Sequence, residues 1–244
     1  MVIRKIPFVQ GEYYHIYNRG VDKRVVFSDG YDFKRFKECL VEFNTASCVG
    51  SLEERRKEKN RHPMPVFGEE KKLVDIIAYC LNSNHFHLIL TPLVDNGISK
   101  FMHKLGMGYT NFFNIKNSRS GSLFQGKFKA IHIDSDEYLT LVGAYVNLNN
   151  KVHKNRHRMP KKFSFRSSWD EYLKAKIIKN KKGDNQIQNS PDDICCKKIL
   201  LARFNSIEDY KKFSISSLEG ILKRSNVDVN NAYKDETDEI ISFK

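Results

Sequence analysis

Two apolar runs, residues 73–81 (LVDIIAYCL) and 85–91 (HFHLILT), stand on either side of Asn82-Ser83-Asn84. No other feature constrains the fold of this chain as strongly. Strand-length apolar segments broken by three turn-forming residues read as a β-hairpin. The flanking pattern supplies further elements. Residues 11–20 (GEYYHIYNRG) are aromatic and alternating, a strand that ends in a polar Asn-Arg-Gly turn. Phe33, Phe36, Leu40 and Phe43 recur at helical spacing after a Ser28/Asp29 cap, so residues 29–43 are expected to be helical.

Beyond the hairpin, residues 98–117 read as a helix despite Gly106 and Gly108, and 118–122 as a Ser/Gly/Arg loop. Residues 123–133 are expected to form a basic strand and 136–149 a second core-facing helix. Residues 51–72 (SLEERRKEKNRHPMPVFGEEKK) look like an inserted, exposed loop. After Pro160 the composition turns Lys/Asn/Ser-rich, and residues 179–189 read as a linker before two helices at 192–204 and 207–222. The expected organisation is therefore a catalytic-sized unit at 1–173 and a linker at 174–190, then a helical extension at 191–225 and a polar acidic tail at 226–244.

Seventeen Phe, 11 Tyr and one Trp give ample core material, which excludes a disordered or fibrous chain. No window approaches the roughly 20 apolar residues of a membrane span. The opening MVIRKIPFVQGEYY has no apolar signal core, so a cytoplasmic, nucleoid-associated protein with no membrane partner is expected. Cys39, Cys48, Cys80, Cys195 and Cys196 contain no CxxC pair, and reduced, mostly buried thiols are expected.

Charge narrows the partner. The net charge of +13 is unevenly placed. No Asp or Glu occurs from 96 to 133, where Lys100, Lys104, Lys116, Arg119, Lys127 and Lys129 lie, nor from 150 to 166, which holds Lys151, Lys154, Arg156, Arg158, Lys161, Lys162 and Arg166. Such blocks are the footprint of a phosphate-backbone binder. Interleaved Tyr109, Phe112, Phe113, Phe124 and Phe128 add rings able to stack on unpaired bases, although most of them are expected to be core.

Chemistry concentrates in two short stretches. On a strand, His85 and His87 share one face while Phe86 points to the other, so two imidazoles about 7 Å apart can ligate one divalent cation. A lone His-x-His is also a common coincidence. In residues 134–149, Asp134 and Glu137 have the spacing of a capping box. Tyr138, Leu139, Leu141, Val142, Tyr145, Val146 and Leu148 form one broad stripe, and Asn149 lies one turn beyond Tyr145. On spacing alone, Tyr145 as a core aromatic and Asn149 as a helix cap is the favoured reading.

Several ordered segments together change that balance: YHIYNRGVDKRVVF, NHFHLIL, GSLFQGKFKAIHID, the helix end YVNLNN, and FRSSWDEYL. From about Tyr13 to Tyr172 the chain resembles the HUH single-strand DNA transposases with one catalytic tyrosine (IS200-like), in particular the REP-associated tyrosine transposase branch. The resemblance implies an α+β fold, a central antiparallel sheet with helices packed on it, related to the ferredoxin-like and RNA-recognition folds. It implies His85 and His87 as metal ligands, Tyr145 as nucleophile and Asn149 as a third, amide ligand, with Mg²⁺ or Mn²⁺ as cofactor. Tyr109 and Tyr138 compete for the nucleophile's role and rank below Tyr145. One departure is Asn150, where many relatives have Pro.

The implied reaction is cutting and rejoining of single-stranded DNA through a 5′-phosphotyrosine, on strands carrying hairpins or palindromic repeats. Lys104, Lys116, Arg119, Gln125, Lys127, Lys129, Lys151 and Lys154 are the candidate DNA contacts. Three rivals remain at this point: a non-catalytic nucleic-acid-binding module, a replication-initiator or relaxase nickase, and a host protein descended from a transposase. The chain has no GxxxxGK[ST] loop. Monomer and helix-exchanged dimer are both compatible with the sequence.

Overall fold

The computed structural model describes residues 7–47, 57, 71–152, 167–179, 185–188, 190 and 192–225. Strand β1 (Tyr13–Arg19) leads into helix α1 (Gly30–Glu42), followed by the hairpin β2 (Val74–Leu81) and β3 (His85–Pro92), helix α2 (Gly97–Lys116) and strand β4 (Lys129–Ile133). The four strands form one sheet in the order β2-β3-β1-β4, and every neighbouring pair is antiparallel. A β-α-β-β-α-β order with β1 and β3 central is the split βαβ arrangement of ferredoxin-like folds. The expected α+β class with a central antiparallel sheet is borne out.

The period of two in each strand sorts the sheet's faces. Phe86 packs on Phe36 of α1 and on Phe124, and Tyr109 of α2 packs on Phe27 and Phe36. Phe86, Leu88 and Leu90 therefore face α1 and α2 within the core. Helix α1 begins where Asp29 accepts a hydrogen bond from the Asp32 backbone N–H, the cap that the sequence places there.

Helix α3 (Asp136–Val152) covers the other face, over β2, β3 and β4. Its N-terminal cap is Ser135, whose Oγ accepts from the Tyr138 N–H, so the expected Asp134/Glu137 box is displaced by one residue. The expected apolar stripe is also too narrow: residues 142–149 are buried without interruption. Cover on the outer side comes from helix α6 (Ile207–Ser225), which packs along α3, and from the short helices α4 (Trp169–Leu173) and α5 (Lys198–Leu201). Gly143 makes this approach possible, because a Cβ there would lie 2.6 Å from Leu200 Cδ1.

The same C-terminal segments seal the outer edge of β2, a row of backbone groups that would otherwise be open to pairing. Ser168 N–H donates to the Tyr79 carbonyl, the Tyr172 hydroxyl to the Ile77 carbonyl and Cys196 N–H to the Ile76 carbonyl. Among the described residues after 173, Cys196 thus packs on the sheet, and α5 and α6 pack on α3.

Three local expectations differ. Residues 123–128 are not strand, because Gly126 takes a left-handed φ of 64° and breaks the extended run, leaving β4 to start at Lys129. Within the expected linker, Lys176–Lys179 (β5) pairs antiparallel with Asn185–Gln188 (β6), with Ile177 opposite Ile187. Of the expected helix 192–204, only Lys198–Leu201 is helical. The expected loop 51–72 lies almost wholly outside the described residues. Cys39, Cys80 and Cys195 are buried thiols, as expected, and burial pushes the Cys39 thiol up to about 12. Among the described residues, no helix is long and apolar enough to cross a membrane.

Candidate active site

Because Phe86 faces α1 and α2, His85 and His87 face α3. Their rings stand 5.0 Å apart, edge to face, and the His87 ring meets the Tyr145 ring of α3 edge-on at 6.0 Å. Tyr145 is 7% exposed. Asn149, one turn further along α3, is fully buried and its Oδ1 accepts from Asn82 Nδ2 at 2.5 Å. The four residues singled out from the sequence therefore converge on one face of the sheet within a single chain.

Asn82 shows how they are aimed. Its Nδ2 lies 2.9 Å from His85 Nε2 as well as 2.5 Å from Asn149 Oδ1. One amide nitrogen bridges two acceptors, so both lone pairs point at a common spot, as a shared cation would require. The other side of His85 is fixed by Asn84, whose Oδ1 lies 2.6 Å from His85 Nδ1. An amide oxygen only accepts, so the proton of His85 sits on Nδ1 and Nε2 keeps its lone pair. Among the described residues, Asn149 Nδ2 is buried with no hydrogen-bond partner. Two imidazoles and an amide suit Mn²⁺, and Mg²⁺ less well. Among the described residues, no group of three or more His, Cys, Asp or Glu side chains is gathered for a metal, so a cation here depends on that mixed set.

Three contributors escaped the sequence reading: His15 and Tyr17 of β1, and Asn82 of the turn. His15 pairs with Ile89 and Tyr17 with His87 in the β1–β3 register, which puts both on the α3 face. His15 Nε2 lies 2.9 Å from His87 Nδ1 with the rings stacked at 5.1 Å. Burial pushes the His15 imidazole down to about 3, so it is neutral at physiological pH. The alternation of YYHIYNR was the available signal, since it sets His15 and Tyr17 on one face.

The basic residues divide. Lys129 pairs with Tyr17 across β1–β4 and its ammonium lies 5.8 Å from the Tyr17 ring, beside the site. Lys127 is exposed just before β4, and Gln125 Oε1 accepts from Arg19 Nε at 2.6 Å. Lys104 instead donates to the Thr45 and Ser47 carbonyls, both at 2.7 Å, behind α1. Lys116 is held by Asp29 at 2.7 Å and Asp32 at 2.6 Å. Burial alone would lower the Lys116 ammonium, but these carboxylates outweigh it and raise its pKa. Arg119 bonds Asn114 and the Ser122 carbonyl. Lys151 lies in the last turn of α3, and Lys154 falls outside the described residues. Of the rival tyrosines, Tyr109 is buried on the opposite face, where its hydroxyl donates to the Val26 carbonyl. Tyr138 sits in the first turn of α3, far from the Asn149 end.

Residues 55–149 match the family model described as transposase IS200 like. That span holds the hairpin, both histidines, Tyr145 and Asn149. Over that span the chain is similar to the IS200-like transposases, and the IS200-like resemblance read from its motifs is borne out there. Among solved structures, the REP-associated tyrosine transposase bound to a REP hairpin aligns with 71% of this chain and 86% of its own, at 12% identity and a TM-score of 0.45. No curated protein matches. The strand order, rather than that structural likeness, fixes the fold.

Proposed function

We propose that this chain is a metal-assisted DNA strand transferase that cuts and rejoins single-stranded DNA through a tyrosine-linked intermediate. The observation that carries the reading is the placement of Tyr145 against His87, with His85 and Asn149 aimed at one point through Asn82, all within the family-matched span. His85, His87 and Asn149 would hold the cation. A divalent ion bound there supplies positive charge against the scissile phosphate and its developing oxyanion.

The remaining work falls to the chain. Tyr145 is presented by a helix buried on both sides, which keeps its ring in one orientation and limits the entropy lost on reaching the phosphate. A protonated phenol is a weak nucleophile, so Tyr145 must give up its proton to react. Attack forms a bond from Tyr145 Oη to phosphorus and breaks the bond from phosphorus to the 3′ oxygen, which takes a proton and leaves as a 3′-OH. The 5′-phosphotyrosine conserves the phosphodiester's free energy, so a second 3′-OH can reverse the step without ATP. Lys127 and Lys129 lie where a strand entering beside Tyr17 would meet them. We further propose that the substrate carries a hairpin or palindromic repeat, following the family resemblance.

The test is incubation of the protein with end-labelled single-stranded hairpin oligonucleotides and Mn²⁺. Wild-type protein should cleave and carry a covalent DNA adduct, and Tyr145→Phe should give neither. DNA binding without an adduct at any metal concentration would replace this reading with a non-catalytic binding module. An adduct that persists in Tyr145→Phe would move the nucleophile elsewhere.

A further inference from the structure

His15 is a fully enclosed imidazole in the middle of β1, and among the described residues its one hydrogen-bond contact is to His87, 72 positions away in sequence. Among the same residues its buried Nδ1 has no hydrogen-bond partner. A phenylalanine or leucine would fill this position without leaving a polar atom uncompensated, so packing alone does not account for the residue. What the imidazole adds is the nitrogen at 2.9 Å from His87 Nδ1.

That contact has two proton arrangements. If His15 Nε2 carries the proton and donates, His87 Nδ1 is the acceptor and the His87 proton sits on Nε2, where it blocks ligation. If His87 Nδ1 donates, His15 accepts and the His87 lone pair falls on Nε2. The neighbouring histidine decides between them by analogy of geometry. His85 has its Nδ1 engaged by the Asn84 amide oxygen at 2.6 Å, which leaves the lone pair on Nε2. His87 Nδ1 is likewise taken up, here by His15, so a cation met by His87 would be met at Nε2, which needs the proton on Nδ1 and an acceptor behind it. Asn84 is that acceptor for His85. His15 stands in the corresponding place for His87.

We propose that His15 is a positioning residue that accepts a hydrogen bond from His87 Nδ1 and so fixes the His87 ring with its lone pair on Nε2. This rests on the metal-assisted reading of the site, although the proton's location on His87 can be measured without metal or DNA. Outer partners that orient a ligating histidine in this way usually matter 10–100-fold in metal affinity.

The experiment is long-range ¹H–¹⁵N correlation spectroscopy of histidine-labelled, EDTA-treated full-length protein, with Mn²⁺ titration of the same samples. Wild-type His87 should carry its proton on Nδ1. His15→Phe, which keeps a ring in the space but has no acceptor, should shift His87 toward the Nε2-protonated form and weaken Mn²⁺ binding by about 10–100-fold. His15→Gln, whose Oε1 can accept, should restore both. Comparison of backbone amide spectra of the three proteins reports whether each is folded. A wild-type His87 protonated on Nε2, or an Nδ1 proton that persists in folded His15→Phe, overturns the proposal. If the wild type shows the Nδ1 proton, loses it in His15→Phe and yet takes up no Mn²⁺, the positioning of His87 stands and the metal-assisted reading fails.

Discussion

The hydroxyl of Tyr210 should contribute measurably to the stability of the whole chain, because it ties the C-terminal helix to the helix that carries Tyr145. Tyr210 and Asn147 are both fully buried, and Asn147 Nδ2 donates to the Tyr210 hydroxyl at 2.6 Å. The other end of the same amide accepts from Ser168 Oγ, and Ser168 Oγ also lies 3.0 Å from the Tyr79 backbone N–H. In Tyr210→Phe the ring contacts with Trp169, Tyr172 and Phe204 remain, but a buried amide N–H loses its acceptor. Leaving such a donor unsatisfied costs about 1–3 kcal/mol. For a chain of this size each kcal/mol lowers Tm by roughly 2–4 °C. Urea unfolding followed by far-UV circular dichroism should show one transition, displaced by this amount, with an unchanged slope. Tyr31→Phe, at a side chain 56% exposed, serves as the control and should move stability by less than about 0.5 kcal/mol. A Tyr210→Phe shift no larger than the control's would refute the tie. So would a separate early transition in the wild type, since residues 192–225 would then unfold on their own.

Three further outcomes are expected. In EDTA, stability should fall as pH is lowered from about 7 toward 4: His15 has its pKa depressed from 6.5 to about 3 by burial, so the unfolded chain binds the proton more readily and gains on the folded one below the unfolded pKa. Its share of the slope approaches about 1.4 kcal/mol per pH unit and should be missing in His15→Phe, as read from urea midpoints at successive pH values. Lys116→Met should cost about 1–3 kcal/mol of stability, because it takes a hydrogen-bond partner from the fully buried Asp32, while leaving the salt dependence of DNA binding nearly intact. Lys127→Ala with Lys129→Ala should do the reverse, leaving the urea midpoint in place and reducing the slope of log K against log salt by about 1.4, or 0.7 per lost phosphate contact on a single strand.

How much of this was legible in the sequence depends on the range of the contact. The β2–β3 hairpin could be read locally, since two apolar runs and three turn residues lie within 20 positions of one another, and His85 and His87 follow from it. Tyr145 and Asn149 share a helix face by the i, i+4 rule, again a local fact. His15 could not be recognised in this way. Its alternation with Tyr17 is visible, but a strand's period does not say which element its face will meet, and the partner is 72 residues off. Lys116 misled for the same reason: in an acid-free stretch it looked available, whereas the fold brings Asp29 and Asp32 from 84–87 positions away. The β5–β6 hairpin hid in a polar segment because its apolar content is little more than Ile177, Ile178 and Ile187, too few for a periodicity signal.

The burial of α3 on both sides bears directly on how Tyr145 is held. An amphipathic helix on a sheet is fixed in tilt by its apolar stripe but only loosely in rotation, because neighbouring apolar residues can exchange places at small cost. Here rotation is fixed by two amides. Asn149 reaches the sheet side, to Asn82, and Asn147 reaches the outer side, to Tyr210 and Ser168. At about 100° per residue these positions lie some 200° apart, so they anchor opposite flanks of the helix. A slip of one residue would turn α3 by about 100°, replace Tyr145 with Val146 at the His87 ring, and break both anchors at once, leaving buried amides unpaired. The chain's own C-terminal elements are thus part of what presents Tyr145 to His85 and His87. Their removal should loosen Tyr145 before it unfolds the sheet.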